Sequence, residues 1–276
     1  MLIDEIELSY NRNLDFSRIK SVWFYRWGHL ADSGNLSLHK VISSSYESLN
    51  KHLKANRDIL SGYLFDKLYD AKWLGHPQTS SLNKLTVLRF ASNEGLIIPE
   101  TILATTKKDI ENFKQKHKNI ITKALSELVQ LEYKNKIYAS YTSEIKELNY
   151  LSDTDIITPT LIQNKIEKSF EIRTFYLNGK FFSMAIFSQS IARTSLDFRL
   201  YSNERPNRNV PFKLPKNIEI KLEKLCNRLN LNTCSIDLIY NKDKQFIFLE
   251  INPVGQFGMT SKPCNYKLDK LIAESL

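Results

Sequence analysis

The alternation of apolar and polar positions is clearest between residues 234 and 252. Apolar and aromatic residues alternate on both sides of a polar turn at residues 241–244. This pattern predicts two strands joined in a hairpin, because β-branched and aromatic residues are typical of strands. Asp237 falls in the first strand, and Glu250 and Asn252 fall in the second. Since strand side chains repeat every two residues, Glu250 and Asn252 share one face.

Other patterns divide the rest of the chain into helices and strands. Apolar residues at three- and four-residue spacings predict helices at residues 45–68, 83–95 and 216–229. Another helix is predicted to begin after Thr106, which caps it, and a last one from about residue 266. Strands are predicted at residues 20–27, 96–105, 119–125, 136–145 and 156–163. Asn178-Gly179 predicts a tight hairpin turn within residues 170–189. Residues 164–169 are interpreted as a polar connector, and residues 189–213 as a mobile surface loop.

Composition suggests several domains rather than one. The chain has 276 residues, 42% of them hydrophobic, and its composition breaks at the Gly-, Pro-, Ser- and Asn-containing segment 75–83. We predict an amino-terminal domain at residues 1–80, a central domain at 81–165 and a carboxy-terminal domain at 166–276. No apolar run of about 18 residues and no basic leader is present, so we expect a cytoplasmic protein with no membrane partner.

The net charge of +9 indicates an anionic partner, either a nucleotide, an acidic peptide or a nucleic acid. Lys and Arg are scattered and are matched by 30 acidic residues, which argues against nucleic acid. The three cysteines have neither an even count nor a close paired spacing. We therefore expect reduced thiols rather than a disulfide framework or a zinc site.

Oxygen donors dominate the candidate chemistry. Asp237, Glu250 and Asn252 suit Mg²⁺, which takes one or two carboxylates together with phosphate oxygens and water. The alternative is an edge hairpin whose acids are simply solvated. No Gly-rich phosphate loop, dinucleotide fingerprint, nucleophile elbow or His-Glu-x-x-His motif is present. The cations for bound phosphates must then come from elsewhere, and each of three predicted elements offers one: Lys84, Lys123 and Arg173.

A colinear series of segments resembles the ATP-grasp ligases and, within them, the graspetide synthetases that mature microviridin-type peptides. The segments are SVWFYRW, NKLTVLRFASNEGLIIPETI, ITKALS, IQNKI, FEIRTFYLNGK, SLDFR and FLEINPVGQF. The resemblance implies an α/β (α+β) ATP-grasp fold. It would have an abbreviated amino-terminal domain, a central domain, and a carboxy-terminal domain with a mainly antiparallel sheet.

The resemblance also implies roles for individual residues. The groups implied to contact ATP are Lys84, Lys123, Gln163, Asn164, Ile166 and Glu171. The implied Mg²⁺ ligands are Asp237, Glu250 and Asn252. The implied catalytic residues are Arg173, which faces the γ-phosphate, and the Asp-x-Arg pair Asp197 and Arg199, of which Arg199 faces the substrate carboxylate.

In such enzymes Mg·ATP phosphorylates an Asp or Glu side chain of a ribosomal precursor peptide, and a Ser or Thr hydroxyl or a Lys amine of that peptide then attacks. The family implies leader-peptide binding by the central domain and a homodimer. Two other functions stay open, an ATP-grasp ligase that adds amino acids to a peptide or protein terminus and a non-catalytic nucleotide- or peptide-binding module. The glycine-free segment after Lys123 departs from the usual phosphate flap.

Overall fold

The computed structural model describes residues 15–25, 43–125, 130–134, 136–139, 142–154, 156–187 and 207–276. The chain divides into two compact units, residues 1–76 with 273–276, and residues 77–272. The predicted division of the second unit near residue 165 stays a prediction. Within the described ranges, no helix combines the length and the apolar character that crossing a lipid bilayer requires.

The first unit contains two short parallel strands and a long helix. Strand β1 (Ser21–Trp23) pairs with β2 (Lys72–Leu74), and helix α1 (Ser43–Lys67) confirms the predicted helix at residues 45–68. A short 3-10 helix, Phe16–Arg18, precedes β1. Phe65 of α1 lies edge-on to Phe24 and to Trp73, so aromatic side chains join the helix to the strands.

The second unit contains the remaining described elements. Its helices are α2 (Lys84–Asn93), α3 (Lys107–Lys116), α4 (Lys216–Arg228), α5 (Gly258–Cys264) and α6 (Leu268–Ser275), the last of which ends in the first unit. Its strands are β3 (Thr101–Thr106), β4 (Ile120–Lys123), β5 (Gln130–Tyr133), β6 (Lys136–Ala139), β7 (Ser143–Glu144), β8 (Ile156–Asn164), β9 (Lys168–Leu177), β10 (Lys180–Phe187), β11 (Arg208–Phe212), β12 (Thr233–Asn241) and β13 (Phe246–Asn252). A 3-10 helix, Pro77–Thr79, precedes α2.

Four of these strands form an antiparallel sheet in the order β3-β8-β4-β7, and α3 packs against it. Thr106 and Asp109 form a capping box at the start of α3, which confirms the predicted cap. Ile110 and Phe113 of α3 are buried with Ile162 of β8 in one apolar cluster. This cluster is the core of the smaller sheet.

Five other strands form a second antiparallel sheet in the order β11-β10-β9-β12-β13. Helices α2 and α4 cover one of its faces, and their side chains share a core with Phe248 and Ile236 of the sheet. The hairpin predicted at residues 241–244 and the one at Asn178-Gly179 are both confirmed, and Asn178 and Gly179 have φ values of 45° and 84°. The opposite face of the sheet carries the polar residues described below.

Four sequence predictions need correction. Residues 136–145 form two strands, because β6 pairs with the unpredicted β5 while β7 joins the four-stranded sheet. Part of the predicted loop at 189–213 is the edge strand β11, where Pro211 is tolerated because an edge strand leaves one side unpaired. Helix α5 was not predicted, since seven residues interrupted by Pro263 show no helical period. Lys168 and Ser169, assigned to the connector 164–169, belong to β9.

Candidate active site

Three charged residues lie in a row across three neighbouring strands. Arg173 on β9 is directly opposite Asp237 on β12, and Asp237 is directly opposite Glu250 on β13. We call Arg173, Asp237 and Glu250 the charged row. Their apolar neighbours Ile172 and Leu238 belong to the core under α2 and α4. Since neighbouring strand residues point to opposite faces, the charged row lies on the face away from those helices.

A β-bulge in β13 brings Glu250 to this face. Asp237 pairs with Glu250 whereas Leu238 pairs with Phe248, so Leu249 is an extra residue. In a regular strand, Phe248 and Glu250 would point to the same side. With the bulge, Phe248 and Ile251 both enter the core, and Glu250 joins Asp237 on the other face.

Arg173 and Asp237 form a well-defined ion pair. Nη1 of Arg173 donates to both carboxylate oxygens of Asp237, each at 3.0 Å. The two side chains are 9% and 17% exposed, so water screens this pair less than an ion pair on the surface. Nε of Arg173 is buried and has no hydrogen-bond partner among the described residues. The guanidinium therefore keeps a donor for a further acceptor.

Asn252 lies at the end of β13, where the chain turns. Its side-chain oxygen accepts a hydrogen bond from the backbone N–H of Val254 at 3.0 Å, and its backbone oxygen accepts one from Gly255 at 3.1 Å. Gly255 lies so close to Ser235 that an added Cβ would be 2.3 Å from the Cβ and Oγ of that serine. Ser235 is in turn directly opposite Asn252. These contacts fix the position of Asn252, which lies two residues beyond Glu250 in the chain.

The two lysines predicted to contact phosphate come to neighbouring positions. Lys84 is the first residue of α2, and Asn83 caps the helix by accepting a hydrogen bond from the N–H of Thr86 at 3.0 Å. Nζ of Lys84 donates to the backbone oxygen of Ala124 at 2.9 Å. Ala124 directly follows Lys123, the last residue of β4. The contact brings the start of α2 to the end of β4, which are far apart in sequence.

The predicted adenine-contacting residues lie where β8 leads into β9. Gln163 is 1% exposed, and its Nε2 donates to Oγ1 of Thr101 at 2.9 Å, across the β3–β8 pair. Asn164 ends β8, and its backbone N–H donates to the oxygen of Glu100 at 3.2 Å. Ile166 lies in the short connection to β9. This connection joins the four-stranded sheet to the five-stranded one.

Glu171 is held by Lys168, a residue that the sequence interpretation missed. Nζ of Lys168 lies 2.6 Å from Oε1 of Glu171, and the two side chains are 6% and 10% exposed. A second bulge makes the contact possible, because Phe170 pairs with Tyr240 while Lys168 pairs with Asn241, and Ser169 is the extra residue. The signal in the sequence for this ion pair was a lysine three positions before an acid, at the start of a strand.

Asp197 and Arg199, the predicted Asp-x-Arg pair, lie outside the described residues. Among the residues that the structure describes, no group of three His, Cys, Asp or Glu side chains is arranged to hold a metal. The candidate ligand set instead combines two carboxylates on adjacent strands with the amide of Asn252. That set fits Mg²⁺, which completes its coordination with phosphate oxygens and water, and does not fit a closed zinc site.

Comparison with solved structures identifies the fold. A RiPP-associated ATP-grasp ligase from Chryseobacterium gregarium, solved with ADP and a leader and core peptide, has a TM-score of 0.78 at 24% identity, over 93% of this chain and 74% of that chain. The macrocyclase MdnC from Microcystis aeruginosa MRC, solved with the precursor peptide MdnA, has a TM-score of 0.74 at 25% identity, over 96% of this chain and 80% of that chain. The macrocyclase MdnB from Microcystis aeruginosa MRC has a TM-score of 0.68 at 24% identity, with the same coverage.

Neither a protein-family model nor a curated protein matches the sequence. The structural likeness shows that the chain has the fold of these ATP-grasp ligases. The α/β ATP-grasp fold class predicted from the sequence, and the resemblance that led to it, are therefore confirmed. The roles of the individual site residues stay predictions.

Proposed function

We propose that this protein is an ATP-dependent macrocyclase that crosslinks the side chains of a ribosomally made precursor peptide. The charged row of Arg173, Asp237 and Glu250 carries the proposal, because it places two carboxylates and an arginine together on one face of an ATP-grasp sheet. The similar ligases from Chryseobacterium gregarium and Microcystis aeruginosa were solved with peptides of this class. The net charge of +9 suits an acidic peptide.

In this proposal the described residues form the nucleotide site. Lys84 and Lys123 bind the phosphates, and the connection from β8 to β9 binds adenine through Gln163, Asn164 and Ile166. Glu171, paired with Lys168, lies beside the nucleotide. Asp237, Glu250 and Asn252 hold Mg²⁺, which when bound draws charge from the phosphate oxygens. Arg173 donates to the terminal phosphate, where negative charge accumulates during transfer.

The reaction has two steps. A carboxylate oxygen of the peptide attacks the γ-phosphorus of ATP, the bond from that phosphorus to the β-phosphate oxygen breaks, and ADP leaves. A hydroxyl or amine of the same peptide then attacks the carbonyl carbon of the acyl phosphate. The carbon–oxygen bond to phosphate breaks, and the nucleophile loses its proton to solvent. Each ring therefore removes one water from the peptide and yields ADP and phosphate, with an ester or an amide as product.

Three further parts of the proposal concern partners and substrate contacts. The central domain binds the leader segment of the peptide, the protein acts as a homodimer, and Arg199 of the Asp197–Arg199 motif faces the peptide carboxylate. The structures solved with leader, core or precursor peptide support the first of these parts by similarity of fold. The resemblance of the SLDFR segment supports the last.

The test is a reaction of purified protein with Mg·ATP and a candidate precursor rich in Ser, Thr, Asp and Glu, such as one encoded beside this gene. Release of ADP together with a peptide mass lower by one water per ring supports the proposal. An increase in peptide mass indicates instead a ligase that adds amino acids. No ADP release with any such peptide indicates a non-catalytic binding module.

Variants of the hairpin that carries the site sharpen this test. Glu250→Gln removes one carboxylate from the charged row and should abolish both ADP release and ring formation. The matched control is Asp243→Asn, which neutralises an exposed acid in the turn of the same hairpin and should react like the wild type. Ring formation by Glu250→Gln at the wild-type rate would contradict the metal assignment.

A further inference from the structure

The carboxylate of Asp237 is already engaged by a cation of the protein itself. One nitrogen, Nη1 of Arg173, donates to both oxygens of that carboxylate at 3.0 Å. Asp237 is also one of the residues that fit Mg²⁺. A metal ion that binds Asp237 would share these oxygens with Arg173, and its positive charge would oppose the guanidinium at close range.

The charges in the row favour replacement over sharing. Asp237 and Glu250 are directly opposite each other on adjacent strands, and like charges in that position repel. Within the charged row, Arg173 supplies one positive charge against these two negative ones. A divalent cation between the carboxylates balances both, and the guanidinium beside it then becomes an excess positive charge that the cation repels. The two cations therefore compete in a partly buried place where screening is weak.

The released arginine has a chemical use. Its Nε is buried and has no hydrogen-bond partner among the described residues, so the guanidinium keeps donors for another anion even while it contacts Asp237. Guanidinium groups bind phosphate through two parallel hydrogen bonds when both nitrogens can reach the oxygens. Nη1 and Nε lie on different edges of the planar guanidinium, and each forms a fork with Nη2. Loss of the contact with Asp237 would therefore free the Nη1 edge for phosphate, in addition to the Nε donor.

We propose that Arg173 is a displaceable counter-ion of the metal site: a divalent cation takes Asp237 from Arg173 and thereby releases the guanidinium to the terminal phosphate of the nucleotide. Metal binding and exposure of the phosphate-binding arginine are then one event. This inference rests on the proposed function, because it assumes that Asp237 and Glu250 bind the metal that accompanies ATP.

Displacement makes a measurable prediction about metal affinity in the absence of nucleotide and peptide. Binding of Mn²⁺ is measured by electron paramagnetic resonance and by calorimetry, on the wild type and on variants of Arg173. Arg173→Gln keeps a hydrogen-bond donor but removes the competing charge, so it should bind Mn²⁺ about fivefold more tightly or better. Arg173→Lys keeps the charge and should remain within about twofold of the wild type.

The matched control is Arg228→Gln. Arg228 also pairs with a carboxylate at 3.0 Å, that of Glu94, but it lies on α4, on the far side of the sheet from the charged row. Its replacement removes an arginine charge of the same kind and should leave Mn²⁺ affinity unchanged. A similar gain in Arg228→Gln would show that net charge, and not the contact with Asp237, sets the affinity, and would overturn the proposal.

Thermal unfolding gives a second readout. Arg173→Gln should unfold at a lower temperature than the wild type without Mn²⁺, because two opposed carboxylates lose their counter-ion, and it should gain more stability from Mn²⁺. Unchanged, weaker or undetectable Mn²⁺ binding by Arg173→Gln overturns displacement. If ring formation by the wild type is observed together with that result, the proposed function stands and this inference fails. If Arg173→Gln binds Mn²⁺ more tightly but the wild type forms no rings, displacement stands and the proposed function fails.

Discussion

Gly255 is packed against Ser235 too closely to carry a side chain. An added Cβ would lie 2.3 Å from both the Cβ and the Oγ of Ser235, and 3.1 Å from the backbone oxygen of Asn252. Ordinary van der Waals contact begins at 3.4 Å, so the shortfall against the serine is about 1.1 Å. Gly255 is buried and Ser235 is 2% exposed within a strand, so neither has free space to move into. Gly255→Ala must therefore displace the turn or the strand.

The expected cost follows from this geometry. Forcing extra atoms into a well-packed interior usually destabilises a protein by about 1–3 kcal/mol. For a folding unit of this size, that corresponds to a decrease in unfolding temperature of about 2–12 °C. Because the displaced turn begins at Asn252, we also expect Mn²⁺ affinity to fall. Calorimetric melting and Mn²⁺ titration of Gly255→Ala measure the two effects separately.

Three companion variants identify the cause. Ser235→Gly removes both serine atoms that the new methyl group would meet. Adding Gly255→Ala to Ser235→Gly should therefore destabilise the protein much less than adding Gly255→Ala to the wild type. The control Gly258→Ala adds the same methyl group at the start of α5, where nothing lies within 4 Å, and should melt close to the wild type. Wild-type melting by Gly255→Ala, or no recovery in the double variant, would refute the steric explanation.

Three other predictions concern Lys168, Asn252 and Asp109. Lys168→Met removes the cation beside the buried Glu171 and should destabilise the protein by about 3–5 kcal/mol in chemical unfolding, whereas Lys168→Met/Glu171→Gln should recover most of this. Asn252→Ala should weaken Mn²⁺ binding while changing the melting temperature little, since Asn252 is exposed; an unchanged Mn²⁺ affinity would argue against its role as a ligand. The backbone N–H of Thr105, followed by the Thr106 side chain and N–H, lowers the pKa of Asp109. Its stabilising effect is therefore present at neutral pH and is lost as the pH falls through the folded-state pKa, so Asp109→Asn should flatten the acid side of the stability profile.

Local signals in the sequence were sufficient for many elements. The Asn178-Gly179 turn, the Thr106 cap and the apolar face of α4 each depend on residues within a few positions of one another. Hairpin register also placed Asp237 and Glu250 on strands that pair. These predictions were confirmed because the physical cause of each feature lies within the segment that shows the pattern.

Other features depend on distant partners, and no local pattern could predict them. Strand β11 forms because β10 offers it an edge, and the contact between Lys84 and Ala124 joins segments that are separated by a helix and two strands. The bulges at Ser169 and Leu249 are also invisible in the sequence, since residues 167–169 are all polar and residues 246–249 are all apolar, so that neither segment shows an alternation to interrupt. A regular alternation in either strand would have been an equally good interpretation of the same residues.

The two bulges explain why the polar face of the sheet can be assembled at all. Glu171 comes three positions after Lys168, and Ile251 comes three positions after Phe248. In a regular strand, residues with this spacing point to opposite faces. One extra residue in each strand restores them to a common face, so that Lys168 reaches Glu171 while Phe248 and Ile251 both reach the core. Bulges also increase local twist, and these two lie in the strands on either side of β12, one in β13 beside Asp237 and Leu238 and the other in β9 beside Tyr240 and Asn241. The charged row thus lies directly beside the bulge in β13, and without that extra residue Glu250 would not share a face with Asp237.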